Sequence, residues 1–99
     1  MTRKDVLAAA EKCVCGDREQ DYGAPENNFR NIAEFWEVYL RGKCVSLDAD
    51  VTILPEDVAA MLALLKIARI ASGLAKEDNW IDLAGYAACG CEIETEASS

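Results

Sequence analysis

Between Pro55 and Gly73 lies the segment that most limits what this chain can become, because from Val58 to Ala71 every residue is apolar except Lys66 and Arg69. Pro55 suits the first turn of a helix, Glu56 and Asp57 place negative charge where the helix dipole favours it, and Gly73 supplies a stop. A helix apolar on all its sides belongs at the centre of a fold. Its two cations are three residues apart, hence neighbours on one flank, and burying either one requires an anion.

Three other segments have helical spacing. Thr2 can cap a helix over about residues 2–15, in which Val6, Leu7, Ala10, Cys13 and Val14 recur on one side until Gly16. Pro25 opens a second helix over about 25–41. There Phe29, Ile32, Ala33, Phe35, Trp36, Tyr39 and Leu40 fall on one arc and Asn27, Arg30, Glu34, Glu37 and Arg41 fall opposite, with Asn28 as a polar residue on the apolar arc. The central helix covers about 55–72. A fourth begins at Asp78, a natural N-cap, and runs to about 91, rich in small residues and with Asp82 as its sole charge before Glu92.

The expected fold is therefore all-α, a four-helix, bundle-like single domain over residues 1–91 followed by an acidic flexible tail at 92–99. A length of 99 residues fits one domain. The connection 42–54 is long for a bundle, so it is either functional or locally extended around Val51, Thr52 and Ile53. Two helices dry on all sides exceed what two amphipathic partners can cover, which predicts a homodimer or higher oligomer.

Composition removes several function classes. With 18 acidic against 10 basic residues the net charge is -8, which opposes non-specific binding to nucleic acid or an anionic membrane. The N-terminus leads into an amphipathic helix rather than an apolar signal core, and the longest charge-free apolar run, Val58 to Leu65, is far too short to span a bilayer. A cytoplasmic protein is expected. The absence of histidine excludes Ser-His-Asp and Cys-His nucleophile systems and any imidazole base, leaving carboxylates and a hard metal ion as the means of catalysis. Of the five cysteines, four form Cys13-Val14-Cys15 and Cys89-Gly90-Cys91. Within a helix such i, i+2 pairs point apart, so buried small apolar side chains are the default, with a four-cysteine metal site or redox pair open if the helices end at Gly16 and Gly90.

Asp78, Asp82 and Tyr86 form one stripe on the fourth helix, with Asn79 near its start. Two readings follow. In one, Lys66 and Arg69 pair with Asp82 and Asp78 as structural ion pairs, and Asp57 and Asp78 serve as dipole and cap residues. In the other, Asp78 and Asp82, joined by Asp57, coordinate magnesium and serve catalysis while Lys66 and Arg69 hold the phosphate of a nucleotide or other phosphorylated small molecule. Arg18 and Tyr22, in the polar loop before Pro25, are candidates to reach phosphate and to stack on a base, and Asn28 wants a hydrogen-bond partner, backbone or ligand. Glu34 and Glu37 also have metal-ligand spacing, but they lie on the wet face, placed to pair with Arg30 and Arg41.

The residues Arg18, Asp21-Tyr22-Gly23, Asn28-Phe29, Trp36, Asp57-Val58, Lys66, Arg69, Asp78-Asn79, Asp82 and Gly85-Tyr86 together resemble a small phage and prophage family of uncharacterised helical proteins, from about Asp17 to Tyr86. More distantly, the layout is similar to the MazG-like all-α nucleotide pyrophosphohydrolases and to phage nucleotide-modification domains. That likeness implies magnesium, nucleoside triphosphate substrates and dimers or tetramers. The MazG hallmark, an ExxE helix followed by ExxD, meets Glu34-Phe35-Trp36-Glu37 on the wet face and Ala59 where an aspartate would follow Glu56, so Asp78 and Asp82 would be the substitute carboxylate pair. Without chemistry, the same residues would make a nucleotide-binding or signal-sequestering protein. An acidic protein-interaction module is the remaining alternative.

Overall fold

The computed structural model describes residues 1–17, 20, 23–43, 51–74 and 76–96. Among them are four helices: α1 (Arg3–Lys12, prolonged by a wider π-type turn Cys13–Asp17), α2 (Pro25–Lys43), α3 (Pro55–Arg69, prolonged by a similar turn Ile70–Leu74) and α4 (Glu77–Glu96). No described residue is in a strand, so the all-α expectation holds for the described chain.

Local chemistry sets the boundaries. The Thr2 hydroxyl accepts from the Asp5 N–H at 3.2 Å while Asp5 accepts from the Thr2 N–H at 3.1 Å, a reciprocal capping box that starts α1. Gly73 turns left-handed at φ 83°, which ends the α3 region and lets the chain reverse into α4. Asp78 is not the N-cap. Helix α4 begins at Glu77, and the Lys76 carbonyl accepts the Asn79 N–H at 3.0 Å, so Lys76 occupies the cap position and Asp78 sits inside the first turn.

Helices α3 and α4 run antiparallel and share the largest interface. A Cβ on Gly90 would stand 3.1 Å from the Ala59 Cβ, so the two backbones approach where α4 carries its small residues. The core gathers Phe29, Ala33, Ile53, Val58, Ala59, Tyr86, Cys89 and Ile93. Ile93 extends that core past the expected end of the fourth helix, and residues 92–96 are helical rather than tail because its burial rewards the extra turn.

Helix α2 closes the core with Phe29 and Ala33. Of the connection 42–54, residues 44–50 lie outside the described part, while the stretch from Val51 is tied to α2. The Ile53 N–H donates to Glu37 at 2.8 Å, and Arg41 donates to both the Val51 carbonyl at 3.2 Å and Glu37 at 3.3 Å. Glu37 is thus half-buried and fastens the strap leading to α3, in addition to the salt bridge its spacing predicted.

Helix α3 is not dry all round within one chain. Val58, Ala59 and Lys66 are buried, but Met61, Leu64, Leu65 and Ile67 are between 44% and 65% exposed.

Candidate functional site

The antiparallel pairing brings the last turns of α3 against the first turns of α4. There Lys66, Arg69, Lys76, Asp78, Asn79 and Asp82 line one open cavity of about 510 Å³. Three cations and two carboxylates leave it net positive within a chain of net charge -8. Both helix ends suit their charges: Lys66 and Arg69 lie at the negative end of α3, Glu77 and Asp78 at the positive end of α4.

The four charges singled out in the sequence are brought together but not equally buried. Lys66 is 8% exposed, and its Nζ lies 2.9 Å from Asp82 Oδ2, whose side chain is about one-third exposed (32%). Arg69 and Asp78 are exposed, against the expectation that all four sit in the dry interior. The reason is geometric. Lys66 and Arg69 share the α3 face that Val58, Ala59 and Leu62 turn to the core, but Arg69 is the last residue of the helix and meets the mouth of the cavity one turn beyond the buried Lys66.

Asn79 is 9% exposed and lines the cavity, and among the described residues its side-chain amide has no hydrogen-bond partner. No buried unsatisfied polar atom exists among the described side chains, so that amide reaches the cavity space. A buried amide open to a cavity and unused by the protein is set to meet a ligand or water. Lys76 was missed by sequence reasoning. Its position just after the helix-reversing glycine and just before the acidic start of α4 was the available signal.

Other expected site residues fall elsewhere. Asp57 is exposed at the far end of α3, where its carboxylate accepts the Leu54 N–H at 2.9 Å and caps its own helix. It lines a different cavity, of about 380 Å³, with Glu56, Glu94 and Tyr86. Nine residues at 1.5 Å rise put it roughly 13 Å along α3 from Lys66, so Asp57 does not join Asp78 and Asp82. Tyr86 follows the Asp78 and Asp82 stripe in sequence but is buried, its ring 6.4 Å from Phe29, and it belongs to the core rather than the cationic cavity. Asn28 is half-buried in the first turn of α2, away from that cavity. Arg18 and Tyr22 lie outside the described residues.

No three His, Cys, Asp or Glu side chains come together as a metal site among the described residues. The four described cysteines are free thiols, Cys89 buried, Cys13 half-buried, Cys15 and Cys91 exposed, and they form no four-cysteine centre. Among the described residues no helix is long and apolar enough to cross a membrane.

The family described as Domain of unknown function (DUF6378) matches residues 5–94. The chain belongs to that family. It is 43% identical over 82 residues to Gene 55 protein of Mycobacterium phage L5, covering 83% of this chain and 47% of the relative. To Gene 55 protein of Mycobacterium phage D29 it is 33% identical over 86 residues, covering 87% and 51%. The chain thus spans about half the length of these relatives. No solved structure matches it.

Proposed function

We propose that this member of the DUF6378 family, of phage or prophage origin and acting in the cytoplasm, binds a nucleotide or other phosphorylated small molecule in the cavity between the end of α3 and the start of α4. The observation that carries this reading is the convergence of Lys66, Arg69 and Lys76 with the unpartnered amide of Asn79 in one cavity of an otherwise acidic protein. Arg69 and Lys76 are the groups for phosphate oxygens, Arg69 as a planar fork and Lys76 as a mobile point charge. Lys66 is held by Asp82 and presents a fixed positive charge to the cavity floor. The Asn79 amide offers both a donor and an acceptor to a sugar hydroxyl or base edge.

The test is thermal denaturation against a panel of nucleoside mono-, di- and triphosphates, with EDTA and with magnesium. Stabilisation by one class in EDTA is expected, and it should disappear in the Lys66→Met, Asp82→Leu double variant, which replaces the pair by apolar groups and keeps the fold. No stabilisation by any member would remove the reading.

A second reading, hydrolysis, is favoured by the presence of Asp78 and Asp82 in the same cavity as the cations. Magnesium takes one or two carboxylates with water and substrate phosphates, and this donor set fits the Asp78 and Asp82 pair without Asp57. Bound there, the ion would supply charge neutralisation and water activation. The residues themselves would align the phosphates, with Asp82 oriented by its bond to Lys66. Metal-dependent release of phosphate or pyrophosphate, lost in Asp82→Ala with helix content retained, would establish this chemistry. Intact recovery of a tightly bound nucleotide would leave binding alone.

A further inference from the structure

The cavity at the junction of α3 and α4 has two unlike walls. Lys66 and Arg69 of α3, with Lys76 just before α4, supply its cations, whereas Asp78, Asn79 and Asp82 of α4 supply its acceptors. At about 100° per residue the three α4 positions fall within an arc of about 100°, so they face the cavity as one wall. The 2.9 Å contact of Lys66 with Asp82 joins the walls and cancels one charge from each. What a ligand meets is Arg69 and Lys76 on one side, and on the other Asp78 with the buried Asn79 amide, which has no partner among the described residues. An ionised carboxylate only accepts hydrogen bonds, so this second wall repels a bare polyanion and holds a group that donates. No aromatic side chain lines the cavity among the described residues. Trp80 lies about 150° round α4 from the middle of the arc, on the opposite side of the helix. Nucleobases are held by stacking on aromatic or other flat faces, and this lining offers no aromatic one.

We infer that the metal-free cavity reads the sugar and the phosphate of its ligand and leaves any base unread, so that its ligand class is a phosphorylated sugar with free hydroxyls, with or without a base attached. The inference rests on the phosphate reading above and narrows it. Arg69 and Lys76 take the phosphate oxygens. Asp78 accepts from a sugar hydroxyl, as carboxylates do from ribose in dinucleotide sites, and the Asn79 amide donates to and accepts from a second. Both walls belong to one cavity of about 510 Å³, so the donor must stand close to the phosphate it accompanies. Sugar hydroxyls do, whereas a base is attached beyond the sugar and extends through the open side into solvent. Asp78 is thereby a specificity residue, lowering affinity for phosphate alone and raising it for a sugar phosphate.

The experiment is calorimetric titration of the full chain in EDTA with ribose 5-phosphate, the four ribonucleoside 5′-monophosphates and methyl phosphate, a phosphomonoester without hydroxyls. Ribose 5-phosphate and the four nucleotides are expected to bind within about threefold of one another, and methyl phosphate at least about tenfold more weakly, the scale of one lost hydrogen bond to a carboxylate. Asp78→Ala, at an exposed position, should keep its helix content, weaken ribose 5-phosphate, leave methyl phosphate equal or tighter, and bring the two within about threefold. A spread of about tenfold or more among the four nucleotides would overturn the inference in favour of a site that reads the base. Methyl phosphate bound as tightly as ribose 5-phosphate would overturn it while leaving the phosphate reading in place. So would a discrimination that Asp78→Ala does not change. Should no phosphate compound bind, inorganic triphosphate included, the phosphate reading itself would fall.

Discussion

The two ends of the α3 and α4 pair hold cavities of similar size and opposite character. At one end, about 510 Å³ is bounded by Lys66, Arg69 and Lys76 with Asp78, Asn79 and Asp82. At the other, about 570 Å³ is bounded by Glu26, Glu56, Glu92 and Glu96, with Arg30 as its sole cation. The cationic end places each charge where a helix terminus favours it. The acidic end does so only for α3, because α4 has no basic residue in its last turn and carries Glu92, Glu94 and Glu96 against its negative terminus. Helix electrostatics therefore account for Arg69 and Asp78 as surface residues, but not for a lysine only 8% exposed or an amide only 9% exposed in the same cavity. Under the proposed function, those two are what separate a binding site from a well-capped helix junction.

The sharpest way to break the contrast is Lys66→Ala, which leaves Asp82 beside a void. Breaking a buried pair by removing one partner costs about 3–5 kcal/mol, and the partial exposure of Asp82 reduces this to roughly 2 kcal/mol, to be read by urea denaturation. Outside both cavities the largest effect should come from Glu37→Ala, which strips the Ile53 N–H of its acceptor and frees the strap entering α3. A loss of about 1.5 kcal/mol is expected there, with ligand-induced stabilisation intact.

Asp57→Ala should cost about 1 kcal/mol through the lost cap and leave phosphate binding within twofold of the unaltered chain, measured by calorimetric titration. That result would confine Asp57 to its structural role at Leu54. The smallest effect has the opposite sign. Glu92→Lys places a cation near the negative end of α4 among acidic neighbours, and a gain of about 0.5 kcal/mol in chemical denaturation is expected.

Much of this arrangement was legible in the chain. Pro25, Pro55 and Gly73 mark helix ends because their backbone restrictions act locally, and the apolar run around α3 identifies the central helix without any knowledge of its neighbours. The meeting of Lys66 with Asp82 was also accessible, since two lone opposite charges on apolar helices have few other partners. What escaped depended on long-range register. Tyr86 has the right spacing within its own helix, yet packing sends it to the core, whereas Asp57 was already separated from Lys66 by nine residues of the same helix. Lys76 escaped because a loop cation has no periodicity to betray it. The end of α4 escaped because the apolar signal of Ile93 is a single residue among acids, and only its packing with the core makes residues 92–96 helical.

The central claim is that the cationic end recognises phosphate through Arg69 and Lys76 set around the buried Lys66–Asp82 pair, and calorimetric titration of the full chain with inorganic triphosphate in EDTA tests it most directly. Saturable binding is expected in the unaltered chain, weakened at least tenfold in Lys66→Met, Asp82→Leu and unchanged in Asp57→Ala. No measurable binding, or equal affinity in all three proteins, would contradict it.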